Sequence, residues 1–486
     1  MGTPNILLIL TDQHRYDALQ INGNKIIKTP NLDILGKDGV VFDNAYSVCA
    51  LCSPARASIL SGFYPHTHKM VNNCDMYQQA QEELPQNIKL ISHHLNERGY
   101  LCGYSGKWHL GKELGPKDYG FVGMNIKGYG QNRNESEEYK SYVQKYKLPP
   151  FTIECGEKGW GHDMVMYGRI KGDRRVSEAH FVTDYAMDLL SHTESKPFFM
   201  AVNYWGPHAP YIVPEPYASM YSPKDIKPWS NFQDEFNKKP GMYRKYRDSF
   251  QGEGNRPWSW DIWSKAISLY WGYVSMIDEQ IGVLLDFLKK KNVYDNTIII
   301  FSCDHGDLIG AHGGMQDKHG MMVEETYHIP LIISGGYLAD RIQTKRCNQL
   351  VSNVDFAPTI LDMASIEIPQ SMQGKSLYGN IIRENAKQRE FLISEFHGHK
   401  YFYSARMVRY DKYKYVFHAS DVDELYNLEK DPAELKNLID NIAYQKIIGL
   451  MRNAMLQWMK ETNDDLLDYT FSLLKNYYNP ENVTKI

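Results

Sequence analysis

The sequence predicts an α/β fold: a domain built on a mostly parallel sheet flanked by helices, followed by a smaller α+β subdomain with an antiparallel sheet. Three observations lead there. Short apolar runs that end in polar residues alternate with helical patterns, as in parallel strands joined by crossover helices. The length, 486 residues, exceeds what one ordinary core serves. After about residue 375 the pattern changes to short strands joined by tight turns.

The strands come in order. Ile6 to Leu10 ends at Thr11-Asp12, Phe198 to Val202 leads to Pro207-His208, Ile298 to Phe301 ends at Cys303-Asp304-His305, and Leu331 to Ile333 ends at Ser334-Gly335-Gly336. Read as parallel strands, these gather polar residues at the carboxyl edge of the sheet, where open α/β sheets bind ligands. Between them, Ile277, Ile281, Leu284, Leu285 and Leu288 form one apolar helical face. Val176 to Leu190 is similar, with Ser177 as cap and Phe181, Val182, Tyr185 and Leu189 facing inward. A helix is expected over Ala57 to Ser61. Residues 112–172 and 205–262 read as long insertions above the sheet, and their tyrosines fit either ligand walls or ordinary packing. The expected division is 1–375 for the first domain and 376–486 for the second, with strands near Phe391, Ala405 and Tyr413 and a closing helix over 441–461.

The bulk composition narrows the function. A net charge of -4 gives no reason to invoke nucleic acid, and no window is apolar for long enough to span a bilayer. The start of the chain runs straight into a strand without a signal-peptide pattern, so the sequence as it stands reads as cytoplasmic; a periplasmic or secreted protein remains the reading if a signal was removed. Seven cysteines, odd in number and without framework spacing, point to reducing surroundings.

Cys52 lies in a Pro-interrupted polar stretch that opens a helix. By itself it admits three readings: half of a Cys49-x-x-Cys52 redox pair, a buried structural thiol, or a nucleophile. The wider pattern discriminates. Cys52-x-Pro54-x-Arg56, then Leu60-Ser61-Gly62 and Tyr64-Pro65-His66, resembles the signature of the type I sulfatases of the alkaline phosphatase superfamily. Further blocks resemble the family in family order: Thr29 to Asp33, Gly106 to Gly111, Pro207 to Tyr211, Ser302 to Gly306 and Asp423 to Leu428.

That resemblance implies a large central mixed sheet with a metal site at its carboxyl edge, and a Cys52 oxidised to formylglycine, whose hydrate attacks sulfur with one hydroxyl and expels sulfate through the other. It implies Asp12, Gln13, Asp304 and His305 as ligands, with the modified Cys52, of one divalent cation: Ca²⁺ first, Mg²⁺ or Mn²⁺ next, because oxygen donors dominate. Many relatives carry two acids after the first strand and Asp-Asn at the second, so Gln13 and His305 are departures. Arg56, Lys107, His109, His208 and Lys318 are the implied catalytic residues. By analogy Asp304 accepts the first proton, His208 with Lys318 protonates the departing alcohol, and His109 releases sulfate. Lys107, His208 and Lys318 also bind substrate, joined by Asn73 and His397; His397, His399 and Lys400 of the C-terminal subdomain read either as contacts to a sugar carboxylate or second sulfate or as solvated surface, and His312 and His319 rank as supporting residues.

The implied function is hydrolysis of a sulfate ester, with a sulfated carbohydrate preferred over a steroid. The implied partner is a formylglycine-generating or anaerobic sulfatase-maturating enzyme acting on Cys52. The nearest rival is a phosphonate monoester or phosphodiester hydrolase, against which Lys107 and His109 argue. A non-catalytic anion-binding or thiol-redox protein is the third reading.

Overall fold

Ile6 to Leu10 is apolar without alternation because both faces of its strand are covered. In the computed structural model, which describes residues 3–76, 81–159, 164–193, 196–251, 258–318, 320–383 and 389–474, this run lies in β1 (Asn5–Asp12). Leu7 and Ile9 enter one apolar cluster and Ile6, Leu8 and Leu10 another, so alternate side chains feed two cores on opposite faces. The other sheet strands are β2 (Val40–Tyr46), β3 (Leu101–Gly106), β4 (Val122–Gly123), β5 (Phe198–Pro207), β6 (Thr297–Cys303), β7 (Leu331–Ser334) and β8 (Arg346–Ser352). Their order is β8-β2-β7-β6-β1-β5-β3-β4.

Every neighbouring pair in the sheet is parallel except those of β7, which runs antiparallel to β6 and β2. The expectation of a parallel strand at Leu331 is corrected here. Ser334 pairs with Ile299 near the start of β6, so Ser334-Gly335-Gly336 lies at the edge away from Asp304. An apolar run of four residues carries no mark of direction. β2, β3 and β8 also escape the sequence reading, because Leu101-Cys-Gly-Tyr-Ser-Gly is only weakly apolar and Arg346 to Ser352 is half exposed.

The first face is covered by α3 and α4, the other by α2 and α5. In chain order the helices named here are α1 (Pro30–Asp38), α2 (Cys52–Ser61), α3 (Glu178–Ser191), α4 (Trp260–Lys290) and α5 (Phe356–Met363). The predicted face of α4 is buried from Ile277 to Leu288, and on α3 Phe181 and Val182 are fully buried while Tyr185 and Leu189 are partly so. Ser177 does flank α3, but its hydroxyl pairs with His180 Nδ1 at 2.8 Å instead of capping a backbone N–H. Asp278 of α4 reaches the start of α1, accepting Asn31 N at 3.1 Å and Leu32 N at 2.8 Å, a carboxylate at a helix N-terminus. α2 begins at Cys52, five residues earlier than the sequence reading, and all ten of its residues are buried.

The insertions hold structure of their own: helices Glu137–Tyr146 and Gly241–Gln251, and a three-stranded sheet formed by Tyr211–Pro214, Tyr167–Lys171 and Thr152–Cys155. Tyr211, Tyr217, Tyr243 and Tyr246 are buried, so these tyrosines serve packing. The C-terminal sheet is antiparallel in the order β9 (Leu392–Phe396), β10 (Ala405–Tyr410), β11 (Tyr413–His418), β12 (Glu424–Asn427), and α6 (Gln445–Glu461) packs on it. It meets the first sheet's layers through buried charge: Lys414 pairs with Glu434 and, at 3.1 Å, with Glu324. His66 Nδ1 lies 2.7 Å from Glu395. No helix among the described residues is long and apolar enough to cross a membrane.

His312 belongs to this framework. Its Nδ1 lies 2.9 Å from Asp234 and its Nε2 3.1 Å from Glu325, tying the insertion at 231–236 to the segment after β6. Burial alone would lower its pKa; Glu325 and Asp234 outweigh burial and raise it above the usual value. A raised folded pKa means that the stabilisation is complete below about pH 6.5 and is lost as pH climbs through the folded value. His312→Gln is therefore expected to cost about 1.5–3 kcal/mol near pH 6 and progressively less at alkaline pH. Urea unfolding of both proteins across that range checks this; a pH-independent difference would contradict it.

Candidate active site

In-register pairing places the acids. Thr11 of β1 pairs with Cys303 of β6, so Asp12 and Asp304 leave adjacent strands side by side. A register shift between Leu10 and Asp12 sets Pro207 opposite Asp12, which puts His208 beside it. β3 supplies Lys107 through Gly106, at φ +102°, where a Cβ would collide with the Asn203 carbonyl. Helix α2 presents Cys52 at its first turn, the positive end of its dipole.

One donor atom from each of Asp12, Cys52, Asp304 and His305 lies within 4.8 Å of the others, and all four residues are buried. Cys52 Sγ is 3.3 Å from His305 Nε2 and 3.7 Å from Asp12 Oδ1. His305 Nδ1 donates to the Gly306 carbonyl at 2.9 Å, which leaves the Nε2 lone pair toward Cys52. A carbonyl partner on the far nitrogen is the usual way to orient an imidazole ligand. Gln13, in the left-handed region at φ 58°, donates Nε2 to Asp317, while its Oε1 is buried without a donor among the described residues. Two carboxylates, an oriented imidazole and an orphaned amide oxygen are a donor set that fits a hard divalent cation.

Four basic side chains, Arg56, Lys107, Lys318 and His208, surround this cluster. Arg56 Nε donates to Asp304 Oδ2 at 2.9 Å, and its Nη1 to the Lys107 carbonyl at 3.2 Å and Asn203 Oδ1 at 3.3 Å. Lys107 Nζ contacts Asp12 and sits 4.2 Å from the centre of the Tyr129 ring. Lys318 lies 2.9 Å from Asp317 and 3.7 Å from Cys52 Sγ. Burial resists ionisation of Asp12, yet the charges of Lys107 and Arg56 hold its pKa well below the carboxylate range. Burial pushes His208 down to about 3, so the free protein holds it neutral; its Nδ1 faces the Ala209 carbonyl at 2.5 Å. Burial also opposes charge on Lys318, but Asp317 and its neighbours hold its pKa above the ordinary lysine value.

His109 adopts φ 59° and its Nε2 donates to Asp75 Oδ1 at 3.0 Å, leaving Nδ1 without a partner among the described residues. Asp75 and Tyr129 escaped the sequence reading. Neither sits in a recognisable motif, and Tyr129, with His109 and His208 both about 5 Å from its ring centre, lies in an insertion crowded with tyrosines.

Asn73 lies beside the centre: its Oδ1 accepts the Ser53 N–H at 3.0 Å, one residue after Cys52 in the first turn of α2. One candidate lies elsewhere. His397 turns away from the centre: it follows β9 on the side of Glu395, 3.3 Å from that carboxylate, in the contact between sheet and core. His399 is the residue of that loop brought toward the site, with Nδ1 3.3 Å from Asn72 Oδ1, and its burial, with Lys318 nearby, lowers its pKa to about 4. His319 lies outside the described residues.

The sequence matches the sulfatase family model over residues 4–366 and that of the N-sulphoglucosamine sulphohydrolase C-terminal region over 310–461. The chain is 28% identical to an arylsulfatase of Clostridium perfringens over 98% of each chain. It is 27% identical to an N-acetylglucosamine-6-O-sulfatase of Bacteroides thetaiotaomicron, over 96% of this chain and 87% of that one. A phosphonate monoester hydrolase of Agrobacterium radiobacter shares the fold with a TM-score of 0.79, at 24% identity over 94% of this chain and 96% of that one. The match runs through the whole catalytic sheet and on into the C-terminal sheet, and the chain belongs to the sulfatase family, whose members are sulfuric ester hydrolases.

Proposed function

We propose that the chain hydrolyses the sulfate ester of a sulfated carbohydrate to the alcohol and inorganic sulfate, using formylglycine made from Cys52 and one divalent cation. The observation that carries this reading is the position of Cys52: at the start of α2, among Asp12, Asp304 and His305, and ringed by Lys107, Lys318 and Arg56. The hydrated aldehyde supplies the attacking oxygen and, by collapsing, a route for sulfate to leave. Asp12, Asp304, His305 and the Gln13 amide oxygen would hold the cation, with calcium the preferred ion, and its charge would add to the field that the lysines and Arg56 set up.

The chain's own residues divide the remaining work. Lys107 and Lys318 reach the space beside Cys52 and face the sulfate oxygens, where negative charge grows as the ester bond breaks. His208 is neutral in the free protein, so the proton for the leaving oxygen comes from the His208–Lys318 side of the pocket once an anion has entered and Lys318, held charged by Asp317, can share it. His109 has its Nε2–H committed to Asp75 and its Nδ1 open, the tautomer of a base ready to accept a proton. The lean to a carbohydrate is supported by the N-acetylglucosamine-6-O-sulfatase relative and by the polar pair His399 and Asn72, His399 lying within reach of the Lys318 charge.

Three measurements test this. Mass spectrometry of the peptide spanning Cys52, from protein made beside a maturating enzyme, is expected to show the aldehyde, and that material should cleave an aryl sulfate faster than an aryl phosphonate; the opposite order favours phosphonate hydrolysis. Chelation should lower the thermal midpoint and Ca²⁺ should restore it, since a ligand that binds the folded state stabilises it; Asp12→Ala should abolish the response. Asp75→Ala should reduce turnover by about 10²-fold or more while leaving a pre-steady-state burst of alcohol, because His109 acts after the ester bond is broken. Loss of the burst together with turnover would assign His109 to the earlier step.

A further inference from the structure

Beside the catalytic cluster lies a second set of metal-binding donors of different chemistry. The thiol of Cys74, the carboxylate of Asp75 and the imidazole of His109 each place a donor atom within 4.8 Å of the others. Cys74 and His109 are buried, while the Asp75 side chain is 34% exposed, so the group is open to solvent on that side. Asp75 Oδ1 and His109 Nε2 are 3.0 Å apart. Two such ligands of one tetrahedral zinc, with bonds of about 2.0 Å, stand roughly 3.3 Å apart, and a zinc-bound sulfur about 3.5 Å from either. Cys74 Sγ therefore has to close by little more than about 1 Å to complete the set.

The backbone brings these ligands together in advance. One hydroxyl, Ser53 Oγ, accepts the Cys74 N–H at 3.1 Å and donates to the His109 carbonyl at 2.5 Å, so the segment after α2 and the segment after β3 are fastened at the ligand positions themselves. Asn73 Oδ1 accepts the Ser53 N–H at 3.0 Å, which ties both segments to the first turn of α2. The Tyr129 ring meets the His109 ring edge to face, 5.2 Å between centres. Two other groups of acids and histidines in the molecule differ in kind. His66, Glu395 and Asp464 enclose Arg406, 2.8 Å from Asp464, and in the group of His312, Glu325 and Glu434 the last is bound by Lys414. Each of those already holds a side-chain cation, whereas Asp75 is bridged by an imidazole whose Nε2 proton a metal ion can replace. Thiolate, imidazole and one carboxylate form a mixed soft and borderline set that selects zinc over calcium or magnesium, and three protein ligands leave the fourth position to water.

We propose that Cys74, Asp75 and His109 form a second metal site, for a thiophilic divalent cation of the Zn²⁺ class, and that filling it stops turnover by taking His109 Nε2 away from Asp75. The ion displaces two protons to solvent, one from the Cys74 thiol and one from His109 Nε2. The site does not depend on the reaction assigned above; its effect on turnover rests on the role given there to His109, and the two are tested apart. Co²⁺, which reports a thiolate ligand through a near-ultraviolet charge-transfer band, is titrated into the Ca²⁺-saturated full chain carrying Cys52→Ala, so that the catalytic thiol contributes nothing. The band is expected to appear. Cys74→Ala should abolish it, Asp75→Ala should weaken binding by more than about tenfold, and Cys155→Ala, at an exposed thiol elsewhere, should leave it unchanged. No band, or one that survives Cys74→Ala, overturns the site. Zn²⁺ added to the matured, Ca²⁺-saturated enzyme should lower aryl sulfate turnover by about 10²-fold or more, while Cys74→Ala keeps the zinc-free rate and loses the inhibition. Inhibition that persists in Cys74→Ala, or cobalt binding with turnover untouched by zinc, overturns the effect on His109. Absence of sulfatase activity altogether would sink the reaction assigned above and leave the cobalt result to decide the site.

Discussion

The geometry of the centre depends on one buried ion pair, Arg56 with Asp304. Taking both charges out of water is costly, and such a pair is weak evidence for stability. What it supplies is position. The guanidinium of α2 reaches Asp304 after β6, the Lys107 carbonyl after β3 and Asn203 on β5, so one planar fork fixes the helix against three strand ends. A lysine has the charge but not the divergent donors. Because Cys52 sits one turn before Arg56 on the same helix, its place relative to Asp12 and His305 follows from that fork.

Charge follows from position. Around the two aspartates stand Arg56, Lys107 and Lys318, and the same neighbours that hold Asp12 ionised leave the space beside Cys52 positive. The histidines are oriented by hydrogen bonds: His305 by the Gly306 carbonyl, His109 by Asp75, His208 by the Ala209 carbonyl. An anion entering this pocket meets fixed donors, so little reorganisation remains for the reaction itself.

How much of this was legible in the sequence depended on whether the information was local. Asp12 and Asp304 were, because each ends an apolar run, and β1 and β6 are buried on both faces. Cys52 was ambiguous until Pro54 and Arg56 gave it a family context. The direction of β7 was not legible, since four apolar residues read the same either way. Nor was the partner of His109: Asp75 lies 34 residues away and no periodicity links them. The choice between His397 and His399 turned on the path of the loop after β9, which sends the first to Glu395 and the second toward Asn72.

Helix α2 also joins the two halves of the molecule. Its first residue is Cys52; past its end, Tyr64 and His66 carry the chain to the C-terminal sheet, where His66 meets Glu395 and Trp458 packs on both rings. Ten residues of helix separate the two ends by roughly 15 Å. All of them are buried, so the helix has no room to shift alone, and a displacement at one end is transmitted to the other as a rigid body.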